Sequence, residues 1–343
     1  MQKPTSFDIA YLAGVSQPTV SRALRGSPVV SLETRKRIEE IARQLHYKVD
    51  KNASNLRFQR SSTLALLLFE DPTPDDSLIN PFFLAMMGSI TRACGAHGYD
   101  LLISFKHLSG DWHKDYEDSR KADGIILLGY GDYLEHQARL EQLVSQNTHF
   151  VRWGTVAAGQ PGVAVGCDNL QGGHDAAAHV VGLGRRNIAF LGDPSEHYPE
   201  FRERHRGYLQ ALSAAGLSAD PRMQVDAIST EQSGYEAAAR LLASGAPLDA
   251  IVAASDLIAI GALRALQERG IDVPARVSVV GFDDIPAASL THPQLTTVMQ
   301  DTRRAGEMLV DTLVQLVCGG RAGNRMLPTK LIVRRSCGAT RSS

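Results

Sequence analysis

No hydrophobic run in these 343 residues approaches the length of a membrane span. The longest, such as 63–69 and 125–128, are strand-length, against the roughly 18 consecutive apolar residues that crossing a bilayer takes. Residues 1–8 carry one lysine and no apolar segment of the kind an export leader needs, so the chain is expected to work in the cytoplasm, away from any membrane. Cysteine is scarce: Cys94, Cys167, Cys318 and Cys337 stand far apart with no CxxC pair, which speaks against a disulfide scaffold and against a structural zinc. His174 and His179 lack the third and fourth ligands that a metal demands, so no metal is expected. The motifs of common α/β enzymes are missing too. There is no GxxxxGK[ST] phosphate loop and no GxSxG elbow, and Gly182-Leu183-Gly184 lacks the third glycine of a dinucleotide turn. The chain reads as a non-enzyme without a cofactor.

What is present is charge asymmetry. The whole chain carries a formal −1, but residues 1–60 hold 11 Lys and Arg against 5 Asp and Glu, a net +6 that leaves −7 on the rest. A basic head on an acidic body points to a nucleic-acid partner for the head. Residues 7–12 read as a short helix, Ala13-Gly14-Val15 as a tight turn, and Ser16 as the cap of a second helix with Pro18 in its first turn. Val20, Ala23 and Leu24 recur on one face, leaving Gln17, Ser21 and Arg22 outward. A third helix follows the Ser31 cap, with Ile38, Ile41, Ala42 and Leu45 inside and Arg35, Lys36, Arg37 and Arg43 outside. This is a helix-turn-helix, and the outward side chains are types that read base edges or grip phosphate in a major groove.

From residue 62 the pattern changes to short apolar runs separated by helical stretches, the mark of βα units and parallel sheets. Strands are expected at 63–69, 100–104, 124–129, 150–153, 162–166, 187–192, 250–254 and 278–282, with helices at 82–97, 172–183, 204–215, 234–243 and 257–269. Two Rossmann-like halves would share them. In open parallel sheets ligands bind beyond the carboxyl ends of the strands, so Glu70, Trp153, Ser255, Asp256 and Asp283 come under notice. Trp153 would stack on a sugar or pack in the core. Glu70 and Asp256 would touch a ligand or cap local structure. Carboxylates, hydroxyls and an aromatic ring in one cleft suit a sugar.

Residues Asp8-Ile9-Ala10, Ala13-Gly14-Val15-Ser16 and Thr19-Val20-Ser21-Arg22-Ala23-Leu24, continued by Gly26, Val30, Thr34-Arg35, Ile38 and Tyr47, resemble the LacI/GalR repressor family. The body resembles the same family, and the periplasmic-binding-protein fold behind it, through Asn80-Pro81-Phe82-Phe83, Asp168-Asn169, Gly172-Gly173, Arg204 through Tyr208, Ser255-Asp256, Gly281 through Asp284, and Leu295-Thr296-Thr297-Val298. The resemblance implies an α/β chain: a three-helix head (1–48), a hinge helix or linker (49–60), and a two-lobed effector and dimerisation body (61–338) built on two parallel Rossmann-like sheets. The first lobe would span about 61–163 and 296–325, the second about 164–295 and 326–338, with a tail at 339–343. It implies Gln17, Pro18 and Arg22 as base readers within a DNA-contacting set of Ser16, Gln17, Pro18, Thr19, Ser21 and Arg22. Ala53 and Leu56 would belong to the hinge helix, and Leu56 would wedge into the minor groove or else pack on the body. Val49 and Asp50 replace the family's usual Pro-Asn, and Asp50 adds repulsion from phosphate. Arg204 and Asp283 would contact the effector, with Ser255 where relatives often carry asparagine. The implied function is repression of carbohydrate-utilisation genes by a homodimer on a pseudopalindromic operator in double-stranded DNA, controlled by a mono- or disaccharide, with a nucleobase or other small metabolite as the alternative.

If Leu56 is the wedge, Leu56→Ala weakens binding to a specific site more than binding to random DNA. Equal losses on both DNAs in a fluorescence titration would remove it from that role.

Overall fold

The computed structural model describes residues 4–24, 26–47, 61–68, 79–105, 110–129, 132–157 and 159–339. The chain divides into two compact units, 1–61 and 62–343. No helix among the described residues is long and apolar enough to cross a membrane.

The first unit is three helices, α1 (Ser6–Ala13), α2 (Gln17–Leu24) and α3 (Leu32–Gln44). Thr5 and Asp8 start α1 with a reciprocal capping box: the Asp8 amide donates to the Thr5 hydroxyl at 3.4 Å and the Thr5 amide to the Asp8 carboxylate at 2.7 Å. Gly14 ends it in the left-handed region at φ 61°, which turns the chain into α2 within three residues. The Ser16 hydroxyl accepts the Thr19 amide, and Ser31 caps α3 through the Thr34 amide. Ile9, Ala10, Ala13, Val20, Ala23, Val30, Ile38 and Ala42 form the core, with Val15, Leu24, Ile41, Leu45 and Tyr47 packed round it. Leu12 stays exposed, because it falls outside the arc of α1 that Ile9, Ala10 and Ala13 bury against the neighbouring helices.

The second unit follows the order β1 (Thr63–Leu68), α4 (Pro81–Ala96), β2 (Asp100–Phe105), β3 (Gly124–Leu128), α5 (Tyr133–Ser145), β4 (Phe150–Trp153), β5 (Val163–Cys167), α6 (Asn169–Gly182), β6 (Ile188–Leu191), α7 (Pro199–Ala214), β7 (Gln224–Val225), α8 (Glu231–Ala243), β8 (Ala250–Ala253), α9 (Asp256–Glu268), β9 (Ser278–Asp283), β10 (Thr296–Met299), α10 (Thr302–Val317), β11 (Arg325–Leu327) and β12 (Lys330–Ile332). One six-stranded sheet runs β11-β5-β4-β3-β1-β2 and the other β12-β10-β9-β8-β6-β7. Every pairing is parallel except β10 with β12. The central strands β3, β6, β8 and β9 are buried throughout, as strands covered by helices on both faces must be.

The lobe boundaries differ from those expected. Residues 164–167 belong to the first lobe, because β5 pairs with β4 (Trp153 opposite Val165), and 296–299 belong to the second, because β10 pairs with β9 (Thr296 opposite Val280). Residues 326–327 join the first sheet beside β5. The chain therefore passes between lobes after Cys167, after Met299 and after Leu327. Ladder hydrogen bonds decide which sheet a strand joins, and they leave no trace in hydrophobicity. The short strands β7, β10, β11 and β12 and the helices α5 and α10 were not among the expected elements. Trp112, to which the sequence assigns no role, is fully buried with Ala65, Leu67, Ile125, Leu127 and Phe150 on the outer side of the first sheet. It is delivered there by the π-helical turn Lys114–Asp118 that follows it in an otherwise polar stretch.

Two glycines set the crossing of α6 and α7. A Cβ on Gly173 would lie 2.0 Å from the Arg204 carbonyl oxygen, and one on Gly207 2.0 Å from that of Leu170, so the helix backbones touch and Arg204 is held to a fixed distance from α6. Gly207→Ala is expected to force the helices apart and to destabilise the protein by about 1–3 kcal/mol. A urea transition of the variant that coincides with that of the parent would show that the contact yields freely.

Candidate DNA-binding face and effector cleft

On the head, α2 buries Val20 and Ala23 and turns Pro18 and Arg22 to solvent, one turn apart on the same side. Ser21 and Gln17 flank them, half-buried. The Gln17 amide donates to the Ser6 hydroxyl at 3.2 Å, so α1 aims it. Ser16 and Thr19 hold each other, hydroxyl to hydroxyl at 2.8 Å, over the first turn of α2. All six expected head residues thus lie on one helix and its cap, and Ser16, Gln17, Pro18 and Thr19 stand at its N-terminus, whose amides and dipole favour phosphate. Ala53 and Leu56 lie outside the described residues.

In the body, Arg204 enters from the second turn of α7 with 1% of its surface exposed. A buried guanidinium must be satisfied by the chain or by a ligand. Its Nε donates to Asn169 Oδ1 at 2.8 Å, its Nη1 donates to the Ala254 carbonyl oxygen, and Nη1 stands 3.5 Å from Asp283 Oδ1. Its plane covers the Phe282 ring, with Cζ 3.7 Å from the centroid. Asp283 closes β9 at φ 116°, an uncommon conformation for a non-glycine residue, and accepts from Gln300 Nε2 at 2.6 Å. Asp284 follows at φ 58° and pairs with Arg334 at 2.6 Å.

Ser255 caps α9, accepting the Ile258 amide, and receives the Ser229 hydroxyl at 3.0 Å. Asn80 of the first lobe donates in turn to Ser229 at 3.3 Å, so a polar relay runs from the cap of α4 to the cap of α9. Asp256, adjoining in sequence, is placed one layer behind. It has no exposed surface, and both of its oxygens accept from the chain, from Thr297 Oγ1 and the Ile285 amide. Burial, and after it the Asp283 carboxylate, push its carboxyl well above the usual carboxylate range. Trp153 lies in the core of the first lobe, its ring 5.9 Å from that of Phe82. Phe82 also lines a cavity of about 250 Å³ with Asp283, Asp284, Met299, Gln300 and Arg303. Glu70 lies outside the described residues. Arg204, Asp283 and Ser255 therefore gather at one place, Trp153 reaches it through Phe82, and Asp256 braces it from behind.

A second set of contacts joins the lobes at 195–200. The Tyr133 amide donates to the His197 carbonyl oxygen at 2.9 Å, and His197 Nδ1 meets the Asp132 carboxylate at 2.5 Å. Glu200 Oε1 accepts the Thr155 amide at 2.7 Å and its hydroxyl at 3.1 Å. Partial burial works against the Asp132 charge, but the His197 hydrogen bond and the Glu135 and Leu134 amides outweigh it and lower its pKa. Arg152 behind this seam is lowered by burial, against the pull of Glu200. Burial pushes the Cys167 thiol up to about 12, so it stays an unreactive filler beside Asn169.

Asn169, Gln300, Phe82 and Glu200 were missed as site residues. Asn169 and Gln300 sit where the chain passes between lobes, so the signal was available only to a reading that had placed those crossings.

Two family models match the chain. Residues 7–50 match that of bacterial regulatory proteins of the lacI family, and residues 177–337 that of a periplasmic binding protein-like domain. The transcriptional regulator RegA of Clostridium saccharobutylicum is 32% identical over 90% of this chain and 91% of its own length. The regulator CelR of Thermobifida fusca is 31% identical over 98% of both, and the repressor CytR of Escherichia coli strain K12 is 30% identical over 98% of this chain and 96% of its own. A solved complex of CelR with cellobiose superposes with TM-score 0.73 at 30% identity, covering 97% of this chain and 99% of that one. A lac repressor dimer bound to operator and the anti-inducer ONPF superposes with TM-score 0.82 at 26% identity, covering 98% and 100%. With a helix-turn-helix that exposes Pro18 and Arg22 and a two-sheet body closed round Arg204 and Asp283, the chain belongs to the LacI family of DNA-binding transcriptional regulators.

Proposed function

We propose that the protein is a repressor of carbohydrate-utilisation genes that binds a pseudopalindromic operator as a homodimer and releases or grips it in response to a sugar held by Arg204 and Asp283. The observation that carries the sugar reading is the buried Arg204–Asp283 pair beside Gln300 and Phe82, a donor, an acceptor, an amide and a ring within one cleft. Sugar hydroxyls need donors and acceptors in fixed places while a CH face packs on a ring. The relative that superposes along nearly the whole chain binds cellobiose, which supports the same class of ligand here. Phe82, which lines the same cavity, would equally stack a nucleobase, which is the second reading.

Dimerisation is supported by the edge of the first sheet. Strand β2 ends that sheet and exposes Leu102, Ile103 and Phe105, the last at 51%. An unpaired apolar edge of this kind is usually covered by another chain, and the lac repressor relative is a dimer. Two heads would then read two half-sites, and the sugar, by closing the lobes, would change the spacing of residues 49–60. Such coupling amounts to roughly 1–3 kcal/mol between sites.

Arg22→Ala is expected to relax base preference at one position in each operator half-site, with a loss of about 1–3 kcal/mol on the preferred sequence. A binding-site selection that returns an unchanged sequence profile would refute its part in readout. Arg204→Lys keeps a cation beside Asp283 but loses the planar fork. Calorimetry with the ligand emerging from a thermal-shift screen of mono- and disaccharides and nucleobases should show affinity reduced by roughly 10- to 100-fold, as for lost hydrogen bonds to a charged group, with ligand-free operator binding kept. Full affinity in the variant would take Arg204 out of the site.

A further inference from the structure

Asp256 is the one buried carboxyl at the cleft that has no cation partner among the described residues. Three carboxyls crowd the end of β9 with two cations: Arg204 faces Asp283 and Arg334 faces Asp284. The groups turned toward Asp256 are Asp283 and Asp284 from β9 and its turn, the Thr297 hydroxyl from β10 and the Ile285 amide. A charge without a partner at zero exposure is so costly that the group takes a proton instead.

The space it occupies has been cleared for it. A Cβ on Gly281 would lie 2.2 Å from Asp256 Oδ1, so only glycine in β9 admits the carboxyl. From that recess Asp256 accepts from Thr297 Oγ1 at 2.5 Å and from the Ile285 amide at 2.9 Å. These two bonds tie the residue following Asp283-Asp284 to the strand beside β9. Asp283 and Asp284 both hold positive φ, a conformation that persists only where the surroundings over-determine it.

We propose that Asp256 is a positioning residue of the effector cleft: an un-ionised carboxylic acid that clamps the turn after β9 to β10 and so presents Asp283 to Arg204 and Gln300 before any effector arrives. This rests on the reading of Arg204 and Asp283 as the effector contacts. An ionised Asp256 would repel the Asp283 and Asp284 carboxylates and loosen the turn. In the acid form Oδ2 still accepts the Ile285 amide while the Oδ1 hydroxyl donates to Thr297 Oγ1 across the same 2.5 Å contact, so the group orders the cleft without adding charge.

The test needs no effector, so its failure is separate from failure of the effector reading, which calorimetry judges. In the full-length protein with 13C-labelled aspartate and 15N-labelled arginine, the carboxyl resonance missing from D256N should keep the shift of a protonated acid from pH 6 to 8. Arginine Nε–H exchange, with Arg204 assigned by its loss in R204K, gives the second readout. Asn offers Ile285 an oxygen and Thr297 a donor, so D256N should keep Arg204 Nε–H exchange within threefold of the parent. D256A should speed it at least tenfold. Should D256A not fold, T297V removes one arm of the clamp at similar volume and should speed the exchange at least threefold. Titration of the Asp256 carboxyl with a midpoint below pH 5, exchange in D256N as fast as in D256A, or unchanged exchange in D256A or T297V would each overturn the proposal.

Discussion

A guanidinium almost without contact with water has to be satisfied from within the protein, and Arg204 draws α6 and the ends of β8 and β9 to its own helix to meet that demand. Asn169 comes from the start of α6, Ala254 from the end of β8, Asp283 from the end of β9, and Phe201 and Phe282 supply the apolar faces between which the charge lies. The glycine contact between α6 and α7 fixes the distance, because the Arg204 backbone itself rests against Gly173. The cost of burying this cation is offset only if every partner is in place. The ends of β8 and β9, where a parallel sheet offers its binding positions, are thereby held in register.

The same constraint explains why the two lobes can communicate. The passages after Cys167, Met299 and Leu327 carry Asn169 and Gln300, which are respectively a partner of Arg204 and a partner of Asp283. A movement of one lobe on the other therefore cannot leave the buried pair unaffected. Away from those passages the lobes meet through the Asn80–Ser229–Ser255 relay and through His197 and Glu200, polar contacts made largely by loop and cap residues. Polar seams of this type separate at less expense than packed cores, since water takes over their hydrogen bonds. Such seams would allow the opening and closing proposed for the cleft.

Much of the head was legible in the chain. Caps at Ser16 and Ser31, the turn at Gly14 and apolar residues three and four apart all act within a few residues, so local chemistry suffices to place three helices and to name the outward face of α2. In the body the long buried strands were legible for the same reason. The pairing of short strands was not: β10 and β5 each end against a partner far away in sequence, and nothing in their composition says which. Trp112 shows the limit from the other side, a core residue concealed in polar sequence because a single π-helical turn redirects it.

The sequence by itself determined the helix-turn-helix, the outward face of its second helix, the α/β character of the body and the placing of Ser255 and Asp283 at strand ends, while Arg204 came to notice through the family resemblance. The first four rest on local periodicity and on residue types placed at strand ends. Only the tertiary structure decided where the lobes divide, that Trp153 belongs to a core, and that Asp256 stands behind the cleft rather than in it. Each of those depends on which distant segment comes to lie alongside, as when a hydrogen at Gly281 in place of a methyl leaves room for a carboxyl 25 residues earlier in the chain.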